Sequence, residues 1–358
     1  MALDILRGLT LAGMILVNNP GSWENIYTPL EHAPFCGCTL ADLVFPFFMF
    51  VMGFSIPLSM RKYDFRLSGK SVKKILRRTL LLFLIGIAFN LVFSLAGGFR
   101  LLGVLQRLAV CYGLTAVLIL TLKPKRFPWI ICILLMGYWC LLRFGGDGYE
   151  FSETNIVSRL DFLLLGPSLM GKDNGIFFDS EGFISTLPAL AHVMIGAWLS
   201  YVIGSEKFGK GLSAENLLKK KVKLLTAAGV ISLVAAVALI LTGDALCKKL
   251  WTPSFVFLTT GLAELLLAGF IGVVDIKHYG KGWGMAFRVF GVNPLIMYVI
   301  AMLLEIIVNV TGVTVLVYGV LNAMLPPCMA SLCYAVLFVF VNWCIAYFFY
   351  WKNIYIKL

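Results

Sequence analysis

Charge is what this chain has least of. Only 13% of its 358 residues are Asp, Glu, Lys or Arg, against roughly a quarter in a soluble domain. Histidine is scarcer still, with three copies: His32, His192 and His278. So little charge cannot clothe a water-facing surface, which excludes an ordinary soluble domain. A small-residue cleavage site is also missing. The first apolar run ends in NNPG and then YTPLEH, so no cleavable signal peptide is expected. The abrupt opening MALDILRG suggests a few trimmed upstream residues. No short repeat is visible, nor the paired interrupted helices of an inverted-repeat transporter. Cysteine and histidine never fall at ligand spacing. Cys36 and Cys38 form a lone C-x-C, which is weak support for metal, and Cys111, Cys132, Cys140, Cys333 and Cys344 sit in apolar runs as small fillers. Neither a metal nor a nucleic-acid partner is expected.

What the chain has is apolar length. It is 60% hydrophobic with a mean hydropathy of +0.91, and the bilayer is its main solvent. The expected fold is all-α: a polytopic membrane helical bundle in one domain, 1–358. Ten spans are read, near 4–20, 40–60, 76–96, 101–122, 127–143, 183–203, 222–242, 254–274, 287–308 and 329–351. Residues 309–328 are an eleventh short span, a re-entrant turn or an interfacial helix. With the N-terminus inside, inner segments hold 23 of the 30 Lys and Arg residues. The outer segments hold Arg100, Arg143, Arg159, Lys172, Lys248 and Lys249, and Arg107 lies within a span. The positive-inside rule then puts both termini in the cytoplasm. The loop 144–182 lies outside and is acidic, with seven carboxylates against Arg159 and Lys172.

Ionisable groups inside a span cost a few kcal/mol each on insertion scales, so each is a functional candidate. Asp4 and Arg7 stand three apart and can share a helix face. Asn18 and Asn19 end the first span before Pro20-Gly21. Gln106 and Arg107 lie in the outer part of the fourth span, and Glu264 and Glu305 in later ones. His192 reads as a packed helical histidine and His278 as a surface one. His32 differs, lying in an outer loop ten residues before Asp42. That aspartate opens the next helix, where the dipole favours a carboxylate and Thr39 is placed to cap. If the loop folds back, Asp42 holds one imidazole nitrogen and leaves the other free as a base.

Several stretches carry a resemblance: LDILRGLTLAGMILVNNPGSW, LEHAPFCGCTLADLVFPFFMFVMGFSIPLS, GVLQRLAVCY, FDSEGFISTLPALAHVMIGAWL, KKLWTPSFVFLTTGLAELLLAGFIGVVD and GVNPLIMYV. In that order they resemble the heparan-α-glucosaminide N-acetyltransferase family and its bacterial relatives. The resemblance implies transfer of an acetyl group from cytoplasmic acetyl-CoA to a glucosamine amine across the membrane. It makes His32 the catalytic residue, as general base or acetyl carrier, with Asp42 as its partner. It puts Asn18, Asn19, Gln106, Arg107 and Asn293 among the substrate-binding residues. The acetyl-CoA phosphates need cations, and Lys70, Lys73, Lys74, Arg77 and Arg78 offer them at the inner face. Phe35-Cys36 replaces the family's Trp-Asn beside the histidine, so acceptor choice is expected to differ there. The family's large amino-terminal lumenal domain has no counterpart in these 358 residues, and a bacterial amino sugar is the expected acceptor. The expected location is a bacterial cytoplasmic membrane, and a homodimer is the default assembly. A sugar O-acyltransferase and an amino-sugar transporter are the alternatives, the second drawing on Glu264 and Glu305.

Overall fold

The computed structural model describes residues 1–280 and 282–356. Lys281 and Lys357, both counted among the inner basic residues, lie outside them. The described chain is helical apart from one two-stranded hairpin, Lys172–Asp173 with Ile176–Phe177. The helices are α1 (Ala2–Asn18), α2 (Leu40–Met60), α3 (Gly69–Gly97), α4 (Val104–Thr121), α5 (Phe127–Phe144), α6 (Ile156–Leu165), α7 (Thr186–Gly204), α8 (Glu206–Gly209), α9 (Ala214–Leu241), α10 (Pro253–Phe270), α11 (Trp283–Val292), α12 (Pro294–Val310), α13 (Val313–Asn322) and α14 (Pro327–Trp351). A π-helical segment, Ile271–Ile276, extends α10.

Among the described residues, eight helices are long and apolar enough to cross a membrane, or nine if the bent pair α11–α12 counts as one. All ten expected windows fall on helices, but two are irregular. The first, α1, is only 17 residues long. The window 287–308 is broken at Asn293-Pro294 by an 86° bend, because proline has no N–H to continue the ladder. Residues 309–328 hold α13, whose ten residues rise about 15 Å at 1.5 Å each. That is half a bilayer core of roughly 30 Å, so α13 does not cross alone.

Both ends of the chain meet at one end of the bundle, here the lower end. Asn293 donates to the Ile354 carbonyl at 2.7 Å and accepts from the Ile356 N–H at 2.9 Å. The Met1 amine lies 3.5 Å from Asp275, and Arg7 and Ile356 line one cavity. Termini on one side require an even number of crossings. The His32 loop, the 145–185 segment and the α9–α10 connection form the upper end.

At the centre, α2 packs against α1, α4, α7 and α10. Its contact with α7 is unusually close and needs glycine on both sides. A Cβ on Gly53 would stand 2.2 Å from the Val193 carbonyl oxygen, and one on Gly196 2.5 Å from that of Phe50. Backbone cannot retreat as a flexible side chain can. Gly53→Val is therefore expected to abolish the folded protein in detergent, as read by size-exclusion profile and thermal melting. Gly137→Ala, where a Cβ meets nothing within 4 Å, is expected to leave both unchanged.

Candidate active site

The upper site starts from the first turn of α2. The first four N–H groups of a helix lack intrahelical partners and draw negative charge. Asp42, third residue of α2, sits there with its side chain only 1% exposed. Its Oδ2 accepts from the Thr39 N–H at 3.1 Å and from the Ala33 N–H at 3.1 Å. The Thr39 hydroxyl donates to the Glu31 carbonyl at 2.7 Å. These bonds fold the loop back over the helix, and the fold delivers His32.

His32 Nδ1 lies 2.8 Å from Asp42 Oδ1. With the proton on Nδ1, the carboxylate fixes the tautomer and leaves Nε2 as the basic nitrogen. The expected dyad is thus present in the geometry. A third member was not expected. Lys248, from the α9–α10 connection, donates its ammonium to the same Asp42 Oδ1 at 3.1 Å and stands 3.2 Å from His32 Nδ1. One buried carboxylate therefore takes bonds from a histidine, a lysine and two backbone N–H groups. The available signal for Lys248 was its place among the six cations on the outer side, against the positive-inside trend.

These side chains line a cavity of about 230 Å³ with Met14, Asn18, Glu181, Lys249, Trp251 and Tyr298. Trp251 is a wedge beneath it, 1% exposed, its ring against Phe45 at 5.4 Å and His192 at 5.9 Å. Its φ of +57° is uncommon for a bulky residue and costs about 1–3 kcal/mol. Glu181 supplies an anionic wall. Burial opposes its charge, but Arg100 and Arg107 outweigh that and hold its carboxyl low. Its neighbour Asp179 goes the other way, pushed up to about 6 by burial and by Glu181.

A second upper cavity of about 260 Å³ shares Met14, Asn18, Val104 and Tyr298 with the first. Asn19, Trp23, Asn90, Arg100, Gln106 and Glu305 also line it. Asn18, Asn19 and Gln106 are thus brought together beside the His32 cavity. Arg107 is not, for it lines neither cavity. Its guanidinium donates to the Ser180 carbonyl at 2.9 Å and to the Ser185 hydroxyl, and lies 5.1 Å from the Trp251 ring. It braces the segment that carries Glu181. Glu264 is buried between α9 and α10, accepting from Ser232 at 3.3 Å, and lines neither upper cavity. His192 is fully buried, as a packed histidine would be.

The lower end holds a cavity of about 720 Å³. Lys70, Lys73, Lys74, Arg77 and Arg78 all line it, with Arg7, Lys62 and Asn293, and no carboxylate joins them. Arg7 is itself held by Asp4 at 3.1 Å and by Ser55 at 2.7 Å. No group of three His, Cys, Asp or Glu residues among the described ones is arranged to hold a metal ion.

Residues 1–234 match the family described as heparan-alpha-glucosaminide N-acetyltransferase, catalytic. The chain belongs to this family. It is 29% identical to the human heparan-alpha-glucosaminide N-acetyltransferase over 360 residues, covering 83% of this chain and 52% of the human one. Identity to the mouse protein of that name is 28% over 350 residues, with the same coverage. The chain spans about half the length of these curated relatives. Lys248 and Trp251 lie beyond the matched 234 residues, so this family's defining segment is completed here by a later loop.

Removing one partner of a buried charge costs roughly 1–3 kcal/mol, more for the charge itself. Lys248→Met is expected to lower the melting temperature modestly, since its own side chain is 20% exposed. Asp42→Ala, which strands a lysine, a histidine and two N–H groups, is expected to lower it more. Melting of the two variants side by side checks the order.

Proposed function

We propose that this protein is a membrane acetyltransferase. It takes the acetyl group of acetyl-CoA at its lower, cytoplasmic end and delivers it to the amino group of a glucosamine-type sugar at its upper end. The observation that carries this reading is the stacking of the two cavities along α2. Phe45 lines the upper one and Phe48 the lower. Three residues rise about 4.5 Å, so less than one helical turn of α2 divides a cation-lined cavity from the histidine cavity. A long donor anchored below by its phosphates reaches the upper site with an extended arm.

Positive-inside topology alone would scatter cations over the lower face. Gathering seven of them around one cavity, without a carboxylate in its lining, suits a polyanionic nucleotide. The upper end suits a cationic sugar. The amides of Asn18, Asn19, Asn90 and Gln106 and the ring of Trp23 line the second cavity. Glu181 faces the first and draws an ammonium group.

In the direct route, the acceptor nitrogen attacks the thioester carbonyl carbon and the C–S bond breaks. His32 Nε2 takes the proton the nitrogen sheds and returns it to the leaving sulfur. Asp42 steadies the imidazolium through Nδ1, and Lys248 holds the carboxylate in place through the same oxygen, Oδ1. Asn18 lines both upper cavities and is assigned to polarise the carbonyl oxygen. The topology that goes with this is ten crossings, both termini cytoplasmic, in a bacterial cytoplasmic membrane.

His32→Ala is expected to cut acetyl transfer to glucosamine by about 10²–10⁴-fold, the usual share of a general base, with the protein still folded. Normal turnover in that variant would overturn the reading. Labelled acetyl-CoA without acceptor is expected to leave no label on the wild type; stable label on His32 would favour a covalent route. A panel of amine and hydroxyl sugars separates N- from O-transfer, and sugar uptake into vesicles without acetylation would mark a transporter. At the other end, Lys70→Gln with Lys73→Gln is expected to raise the KM for acetyl-CoA several-fold. The KM for the acceptor is expected to stay put.

A further inference from the structure

The stretch Phe35-Cys36-Gly37-Cys38 lines neither upper cavity, although it directly follows the His32 turn. Its residues face elsewhere. The Phe35 ring enters a small core beside the site, 5.1 Å from Phe151 and 5.7 Å from Phe178. That core includes Tyr138, Leu142, Cys247 and Leu250. Two residues on, the Gly37 N–H donates to the Leu246 carbonyl at 2.7 Å. Gly37 and Cys247 form an isolated parallel bridge, with Gly37 at a φ of +118°. The Cys247 sulfur stands 3.0 Å from the Phe35 carbonyl oxygen. Between these fixed points lies Cys36, one residue before the bridged Gly37, with its thiol close enough to that of Cys247 for each to shift the other.

We propose that Cys36 and Cys247 are a disulfide-forming pair that clamps the His32 loop onto the Lys248 loop. The backbone spacing allows it. Bridged strands run about 4.8 Å apart, so a residue one step along lies roughly 6 Å from its diagonal neighbour, inside the range a disulfide spans. The chemistry is a two-step exchange with an external thiol–disulfide oxidant. The Cys36 thiolate attacks the oxidant's S–S bond, forming a mixed disulfide and releasing one thiolate. Cys247, deprotonated, then attacks the Cys36 sulfur and expels the second. Two protein thiols are oxidised, and one external disulfide is reduced to two thiols.

Cys36, Cys38 and Cys247 differ in a way that selects this pair. Cys36 is exposed and Cys247 is buried, which suits an accessible attacking thiol and a shielded resolving one. The nearby Cys247 thiol brings that of Cys36 down to about 7, where a useful fraction is thiolate. Cys38 is pushed up to about 11 by burial and by Asp42, and its S–H turns to the Thr39 carbonyl at 3.7 Å. The near neighbour in sequence is thus the wrong partner.

The clamp rests on the orientation that puts the upper end outside the cytoplasm, where disulfides persist, and not on the acetyl-transfer reading. Its effect would fall on the site all the same. Cys247 precedes Lys248, and Cys36 lies four residues after His32, so the crosslink would tie together the two loops that meet at Asp42.

The test uses the full chain in native membranes. Free thiols are blocked with N-ethylmaleimide without reductant, and the digest is mapped by mass spectrometry. The expected result is a Cys36–Cys247 linked peptide that disappears on reduction. Reduction is also expected to lower the melting temperature of the wild type and to leave that of Cys36→Ser unmoved; Cys36 is exposed, so that variant is suited to folding. Recovery of both residues as maleimide adducts, even after incubation with oxidised glutathione, would overturn the proposal. So would a Cys36–Cys38 crosslink.

Discussion

The upper half of the molecule depends on one carboxylate. Asp42 is buried at the start of a helix that carries no other charge, and a charge there survives only if it is surrounded by donors. It is surrounded from three directions: the turn of its own helix, the histidine loop and a lysine from the far half of the chain. Each partner is fixed in turn by meeting the same two oxygen atoms. The need to satisfy a buried charge thereby doubles as the device that orients an imidazole.

The same economy runs down α2. Its upper end carries Asp42 and its middle is glycine-notched to meet α7. Its lower residues Ser55 and Ser59 line the basic cavity, where Ser55 accepts from Arg7. A single rigid helix therefore sets the distance between the two ends of the proposed transfer. Arg107, which the membrane rule singles out by its cost, serves that rigidity. It spends its guanidinium on the Ser180 carbonyl, the Ser185 hydroxyl and the Trp251 ring.

Local physics was readable in the sequence. A Thr three residues before an Asp at the mouth of an apolar run is a helix start, and a histidine ten residues upstream can be folded onto it. The apolar windows were readable because bilayer thickness sets their length. Two kinds of fact were not. Lys248 meets Asp42 through a tertiary contact between distant segments, and no periodicity reports such a meeting. The break of the ninth window at Asn293-Pro294 was hidden because composition stays apolar through it, while only the missing proline N–H marks the 86° bend. Composition likewise flagged Glu264 and Glu305 alike, yet Glu305 lines the second upper cavity while Glu264 is buried against Ser232; which side of a helix turns inward depends on its neighbours.

The meeting of Lys248 with Asp42 also orders events in time. A membrane chain is made from its N-terminus, so His32, Asp42 and the whole matched segment of 234 residues are synthesised before residue 248. Until the α9–α10 connection is laid down, the aspartate lacks its lysine neighbour, and the Trp251 wedge is absent beneath the histidine. The upper cavity is therefore a late product of biogenesis, closed by the arrival of a loop rather than by the maturation of the segment that bears its histidine.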